Sequence, residues 1–86
     1  SADMPCYILS DDEKANGVGI LYILQQLGFT SSNGEGRRFI KQSAVKIDDV
    51  TINDAEKFIG KDDFTTGDTD GLKISLGKKK HGLIKL

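Results

Sequence analysis

The hydrophobic period of this chain changes once, and the change limits what it can fold into. Ile20, Ile23, Leu24 and Leu27 recur at i, i+3, i+4 and i+7, which is one face of a helix. Leu21 and Tyr22 widen that face, and Gly28 closes the helix as a residue able to take positive φ. Ser32 followed by Glu35 has capping-box spacing, with Gly36, Phe39 and Ile40 as the inner face of a second helix. From residue 45 the spacing drops to two. Val45 and Ile47 alternate, Asp48-Asp49 turns, and Val50 and Ile52 alternate back. A two-residue loop pairs Ile47 with Val50 and Val45 with Ile52, placing all four on one face. Leu72, Ile74 and Leu76 form another alternating strand. Gly77-Lys78-Lys79-Lys80 turns it, and His81 to Leu86 returns. The expected fold is α+β, with two helices packed on one face of a small antiparallel sheet of hairpins.

Flanking segments are weaker. Pro5 keeps Met4 extended, so Cys6 to Leu9 reads as a short extended piece. Ser10 to Glu13 has capping-box spacing, but Asn16, Gly17 and Gly19 follow so closely that one turn at most is expected. Residues 53–70 read as a polar loop anchored by Phe58, Ile59 and Phe64. The resulting division is a linker with a short extended segment over 1–17 and one domain over 18–86. With 86 residues, one modest core is all the chain can build.

Several chemistries are disfavoured. No apolar run reaches the roughly 18 residues a membrane span needs. A single cysteine, Cys6, precludes an internal disulfide, and a single histidine, His81, precludes a His-rich zinc site. Thr66-x-Asp68-x-Asp70-Gly71 echoes a calcium loop, but Thr stands first and Gly77 falls where the bidentate Glu belongs. Gly17-Val18-Gly19 lacks the third glycine of a dinucleotide fingerprint. No nucleophile or carboxylate pairs with Cys6 or His81 by motif, so the expected catalytic set is empty and no metal or cofactor is expected in these residues.

Charge is segregated. The net charge is −1, yet residues 37–47 hold four bases and residues 71–86 five, both without an acid. Residues 48–70 hold eight acids against two bases. A fold that joins the basic blocks has a polarised surface despite its near-zero net charge. Arg37 and Lys41, at i and i+4, share a helix face with Arg38 beside them. An arginine fork can hold phosphate in two places. The start of that helix, at Ser32 and Asn33, offers free backbone N–H groups to an anion. Lys46 lies in the first hairpin, and Lys78, Lys79, Lys80 and His81 form a basic turn. The competing reading is a solvated helix face and a solubilising hairpin tip.

Ser31-Ser32-Asn33-Gly34-Glu35-Gly36-Arg37-Arg38-Phe39-Ile40-Lys41-Gln42, followed by Val45-Lys46-Ile47-Asp48-Asp49, resembles the alpha-L (S-four-type) RNA-binding motif. Ser32, Glu35, Arg37, Ile40 and Val45 match its pattern, Ser-Arg-Ser-Glu-Ala-Arg-x-x-Ile-x-x-Gly-x-Val-x-Val-Asn-Gly. The chain departs from the pattern at Asn33 (usually basic), Gly34 and Gly36 (Ser and Ala), Ser43-Ala44 (Gly-Gly) and Asp48-Asp49 (Asn-Gly). The closing Gly-Lys-Lys-Lys-His-x-Leu-Ile-Lys-Leu and the opening Met-Pro piece resemble the C-terminal domain of bacterial-type tyrosyl-tRNA synthetases. That resemblance implies an alpha-L domain that binds tRNA-Tyr and positions it for a catalytic domain outside these residues. It implies RNA contacts at Ser32, Asn33, Arg37, Arg38, Lys41, Lys46, Lys78, Lys79, Lys80 and His81. It further implies ATP with Mg in the parent's catalytic domain, a cytoplasmic parent that dimerises through that domain, and a monomeric isolated fragment. The start at Ser1 without an initiator Met or signal-peptide pattern reads as a cut, and Leu86 as a natural end. An RNA module of a pseudouridine synthase-like rRNA-modifying enzyme, or a stand-alone ribosome-associated protein, is the alternative.

Overall fold

The computed structural model describes residues 4–64 and 71–86. In chain order the elements are β1 (Cys6–Ile8), α1 (Asp11–Asn16), β2 (Val18–Gly19), α2 (Ile20–Gln26), α3 (Asn33–Lys41), β3 (Val45–Ile47), β4 (Val50–Thr51), β5 (Phe58–Ile59), a 3-10 turn (Lys61–Asp63), β6 (Leu72–Leu76) and β7 (Lys80–Lys85). Five strands form one sheet in the order β1-β7-β6-β3-β4, and β2 pairs with β5 apart from it. Ile20, Ile23, Leu24, Val45, Ile59, Ile74 and Ile84 are fully buried, so the apolar stripe of α2 and the inner sides of four strands make one core. This is the α+β architecture consistent with an alpha-L fold.

The helices start and stop where local chemistry directs them. Ser10 accepts from the Glu13 amide while the Glu13 carboxylate accepts from the Ser10 amide, closing a reciprocal cap. Tyr7 Oη also donates to Glu13, at 2.7 Å. These two donors hold the Glu13 carboxyl below its usual range, the Ser10 amide contributing most. With its cap complete, α1 runs for six residues, beyond the single turn expected. The end of α2 is a Schellman closure: Phe29 N–H donates to Leu24 and Gly28 N–H to Gln25, with Gly28 at φ +79°. The end of α3 repeats it without a glycine. Ser43, at φ +60°, donates to Ile40, and Ala44 donates to Phe39.

The first hairpin has the expected register, Lys46 opposite Thr51 and Ile47 opposite Val50. Asp48 and Asp49 take φ of +50° and +69°, the signature of a type I′ turn. The Asp48 side chain and amide both bond to Lys73 on β6, which supports the unusual backbone.

With α1 the domain has three helices where two were expected, and four other expectations change. The sheet is mixed rather than antiparallel, because β1 lies parallel to β7 with Cys6 opposite Leu83. The presumed loop 53–70 contains β5, whose fully buried Ile59 pairs with Val18. A two-residue strand is too short to show a period. Tyr22 and Val50 are 50% and 65% exposed and do not extend the apolar faces assigned to them. Lys80 opens β7 opposite Leu76 instead of sitting in the turn, which shrinks to Gly77–Lys79. The calcium-like stretch at 66–70 and most of the acidic loop lie outside the described residues.

Gly36 is more than a residue of low helix propensity on the inner face of α3. A Cβ there would stand 2.8 Å from Leu21 Cδ2 and 3.7 Å from Leu24 Cδ1, so α2 and α3 meet at this residue. Alanine gains about 1 kcal/mol of helix propensity but overpacks a buried contact, at a typical cost of about 1–3 kcal/mol. Gly36→Ala is therefore expected to leave the domain no more stable and up to about 2 kcal/mol less so. Gly34→Ala, with only Ser32 Oγ within reach at 4.0 Å, is expected to stabilise by up to about 1 kcal/mol. Urea melts of the two variants check this. A gain at Gly36 would mean that Leu21 repacks freely.

Candidate nucleic-acid interface

The helical period of α3 sorts its side chains. Gly36 and Ile40 are buried against α2 and the sheet, whereas Asn33, Gly34, Arg37, Arg38 and Lys41 are exposed. Ser32 spends its hydroxyl on the cap, accepting from Glu35 N–H at 3.1 Å. The amides of Asn33 and Gly34, the first two of the helix, have no intrahelical acceptor. The Asn33 side-chain oxygen Oδ1 accepts from Gln25 Nε2, which ties the start of α3 to the end of α2.

The cations are not equivalent. Arg37 Nη2 lies 3.0 Å from Glu56 Oε1 in an exposed ion pair. Among the described residues, Arg38 and Lys41 have no acid within ion-pair distance. Arg37 is thus held by a carboxylate that any incoming anion would have to displace, while Arg38 and Lys41 have no such partner among the described residues.

The basic turn lies against the far end of α3. Gly77 N–H donates to Ala44 at 2.8 Å, pinning the turn to the residue that closes the helix. The His81 ring donates through Nε2 to the Lys78 carbonyl at 3.0 Å and braces the loop. The Lys80 ammonium donates to the Phe29 carbonyl at 3.1 Å and is held there. The expected three-lysine tip therefore reduces to Lys78 and Lys79.

Lys46 and His81 belong to another surface. Val45 and Ile47 are buried toward the helices, so Lys46 between them projects from the opposite sheet face. There the register sets Thr51, Lys46, Ser75 and His81 in one row across four strands. Apart from Lys80, the ten predicted residues thus divide between an α3-and-turn face and the open sheet face.

Sequence reasoning missed Glu56, nineteen residues from Arg37, because no local pattern announces the pair. It also missed a groove of about 340 Å³ whose wall includes Tyr22, Asn33, Arg37, Glu56 and Phe58. Among the described residues no cluster of His, Cys, Asp and Glu is placed to hold a metal ion. Among them, too, no helix is long and apolar enough to cross a membrane.

No protein-family model matches the chain. Curated proteins do. The tyrosine–tRNA ligase of Rhizobium meliloti (strain 1021) is 40% identical over 84 residues, which is 96% of this chain and 19% of that protein. That of Mesorhizobium japonicum is 42% identical over 69 residues, 80% of this chain and 16% of the relative. That of Acetivibrio thermocellus is 33% identical over 84 residues, 98% of this chain and 20% of the relative. Over nearly all its length the chain is homologous to one segment of such enzymes, and it spans about one fifth of the length of the curated relatives it matches.

Proposed function

We propose that this chain, homologous to a segment of tyrosine–tRNA ligases, is the C-terminal tRNA-binding domain of such an enzyme. The observation that carries the reading is the exposed face of α3, where Arg38 and Lys41, unpaired among the described residues, lie beside the turn that presents Lys78 and Lys79. Cations spaced along one face meet successive phosphates, and phosphate contacts fix the register of a nucleic acid on a protein. The start of α3, with the amides of Asn33 and Gly34, adds neutral donors to the same face. Lys46 and His81 extend contact onto the open face of the sheet.

Residues 18–86 form the binding unit in this reading. Residues 1–17 join it to the rest of the enzyme while lending β1 to the sheet. The chemistry belongs elsewhere in the parent: tyrosine is activated with ATP and Mg, then esterified to tRNA-Tyr, in a cytoplasmic homodimer whose contact lies in its catalytic domain. The isolated domain is a monomer that positions tRNA. Binding energy realised far from the reacting centre is spent on holding the acceptor end in a productive orientation.

Titrating the domain with tRNA-Tyr over a salt series tests the proposal. Saturable binding that weakens steeply with salt supports it. Binding no tighter than that of a non-basic protein of equal size rejects it.

The ion pair makes a second expectation. Glu56→Gln releases Arg37 and removes an acid from the face, so tRNA should bind about two- to fivefold more tightly, with a steeper salt dependence. Stability should change by less than about 1 kcal/mol, because the pair is exposed. Binding isotherms and a thermal melt of the same variant check both parts.

A further inference from the structure

Between the end of α3 and the β6–β7 turn lies an open groove of about 390 Å³. Phe39, Ala44 and Leu76 give it an apolar lining and Gln42, Lys78, Lys79 and Lys80 a polar one, with the Lys80 ammonium held by the Phe29 carbonyl. Among the described residues no acid lines it. The volume falls in the lower range for small-molecule sites, and an apolar lining with a few placed polar groups is their usual composition.

We propose that this groove holds one unpaired nucleotide of the bound RNA, its base against Phe39 and its phosphate between Lys78 and Lys79. The inference rests on the tRNA-binding reading and adds an element that phosphate contacts alone do not supply. The occupant follows from the chemistry of the walls. Two lysines without a neighbouring acid select a phosphate. A half-buried aromatic ring in the lining selects a flat partner, and nucleobases stack on aromatic side chains regardless of identity. A base inside a duplex has both faces covered, so only a loop, bulge or extruded position can present one. Gln42 supplies an amide that can donate to and accept from a base edge. The groove is also preformed. Gly77 is bonded to Ala44 and His81 to the Lys78 carbonyl, so both walls are held before RNA arrives.

Phe39→Leu keeps an apolar side chain of similar bulk and removes the ring. Its affinity for tRNA-Tyr should fall about tenfold, with the slope of log affinity against log salt unchanged. Lys78→Gln with Lys79→Gln should instead lower that slope. If thermal melting shows Phe39→Leu to be unfolded, the unchanged domain decides the matter by NMR. Titration with adenosine monophosphate should then shift the Phe39 ring and Leu76 methyl signals, and inorganic phosphate at equal concentration should not. Wild-type affinity in a folded Phe39→Leu variant overturns the groove assignment and leaves the tRNA reading standing, as do equal shifts with phosphate. Failure of the unchanged domain to bind tRNA overturns both.

Discussion

Replacing Arg37 and Lys41 together with alanine is expected to weaken tRNA binding by about 1–3 kcal/mol and to lower its salt slope by nearly two. The two residues lie one turn apart on the exposed face of α3, so one strand can meet both. The loss should exceed that of two independent phosphate contacts. Without Arg37, Glu56 is left facing the polyanion with no cation beside it. Adding Glu56→Gln to the double variant should therefore restore part of the affinity, although no positive charge is regained. Binding isotherms at four or five salt concentrations, for the single, double and triple variants, separate these contributions. If the double variant binds tRNA with unchanged affinity and slope, α3 presents only a solvated face and the interface lies elsewhere.

Gly71→Ala should be the most damaging single change of a surface residue. Gly71 enters β6 at φ +86°, where an L residue with a Cβ is strained. A Cβ there would also stand 2.5 Å from the Ile84 carbonyl oxygen and 3.1 Å from Lys85 Cγ. The oxygen belongs to the strand that pairs with β6, so it cannot move aside without opening the central hairpin of the sheet. Strain and clash together should cost about 3 kcal/mol, a large part of the stability of a small domain. That corresponds to a fall of roughly 12–24 °C in melting temperature. Gly77→Asn is the matched control: its φ is +65°, but a Cβ would meet nothing within 4 Å. Asn tolerates this backbone region, so Gly77→Asn should melt within a few degrees of the unchanged domain. Equal melting temperatures for the two variants would show that backbone conformation, and not the approach of β7, governs both positions.

How far these features can be read from the chain depends on the distance over which each is encoded. The face of α2, the Ser32 cap on α3 and the register of the Asp48-Asp49 hairpin all follow from residues a few positions apart. Helical hydrogen bonds span four residues and a two-residue turn forces its neighbours into pairs, so local order alone specifies them. The exposed cations of α3 follow equally, because the buried set Gly36 and Ile40 leaves Arg37, Arg38 and Lys41 on the other side.

Long-range pairing is another matter. Cys6 lies opposite Leu83, and Val18 opposite Ile59, through strands of three and two residues that carry no readable period. Their partners are chosen by backbone hydrogen bonding at an edge, once the core has brought the edge to them. The same holds at the site. Lys80 reaches Phe29 and Arg37 reaches Glu56 only after the helices have settled on the sheet. The position that looks like a weak point of α3, Gly36, is where Leu21 needs the room. Amino-acid order specifies which residues are cationic and which side of an element they occupy. Packing between distant segments specifies which of those cations remain free to meet a phosphate, because an ion pair or a strand contact forms wherever the fold places a partner.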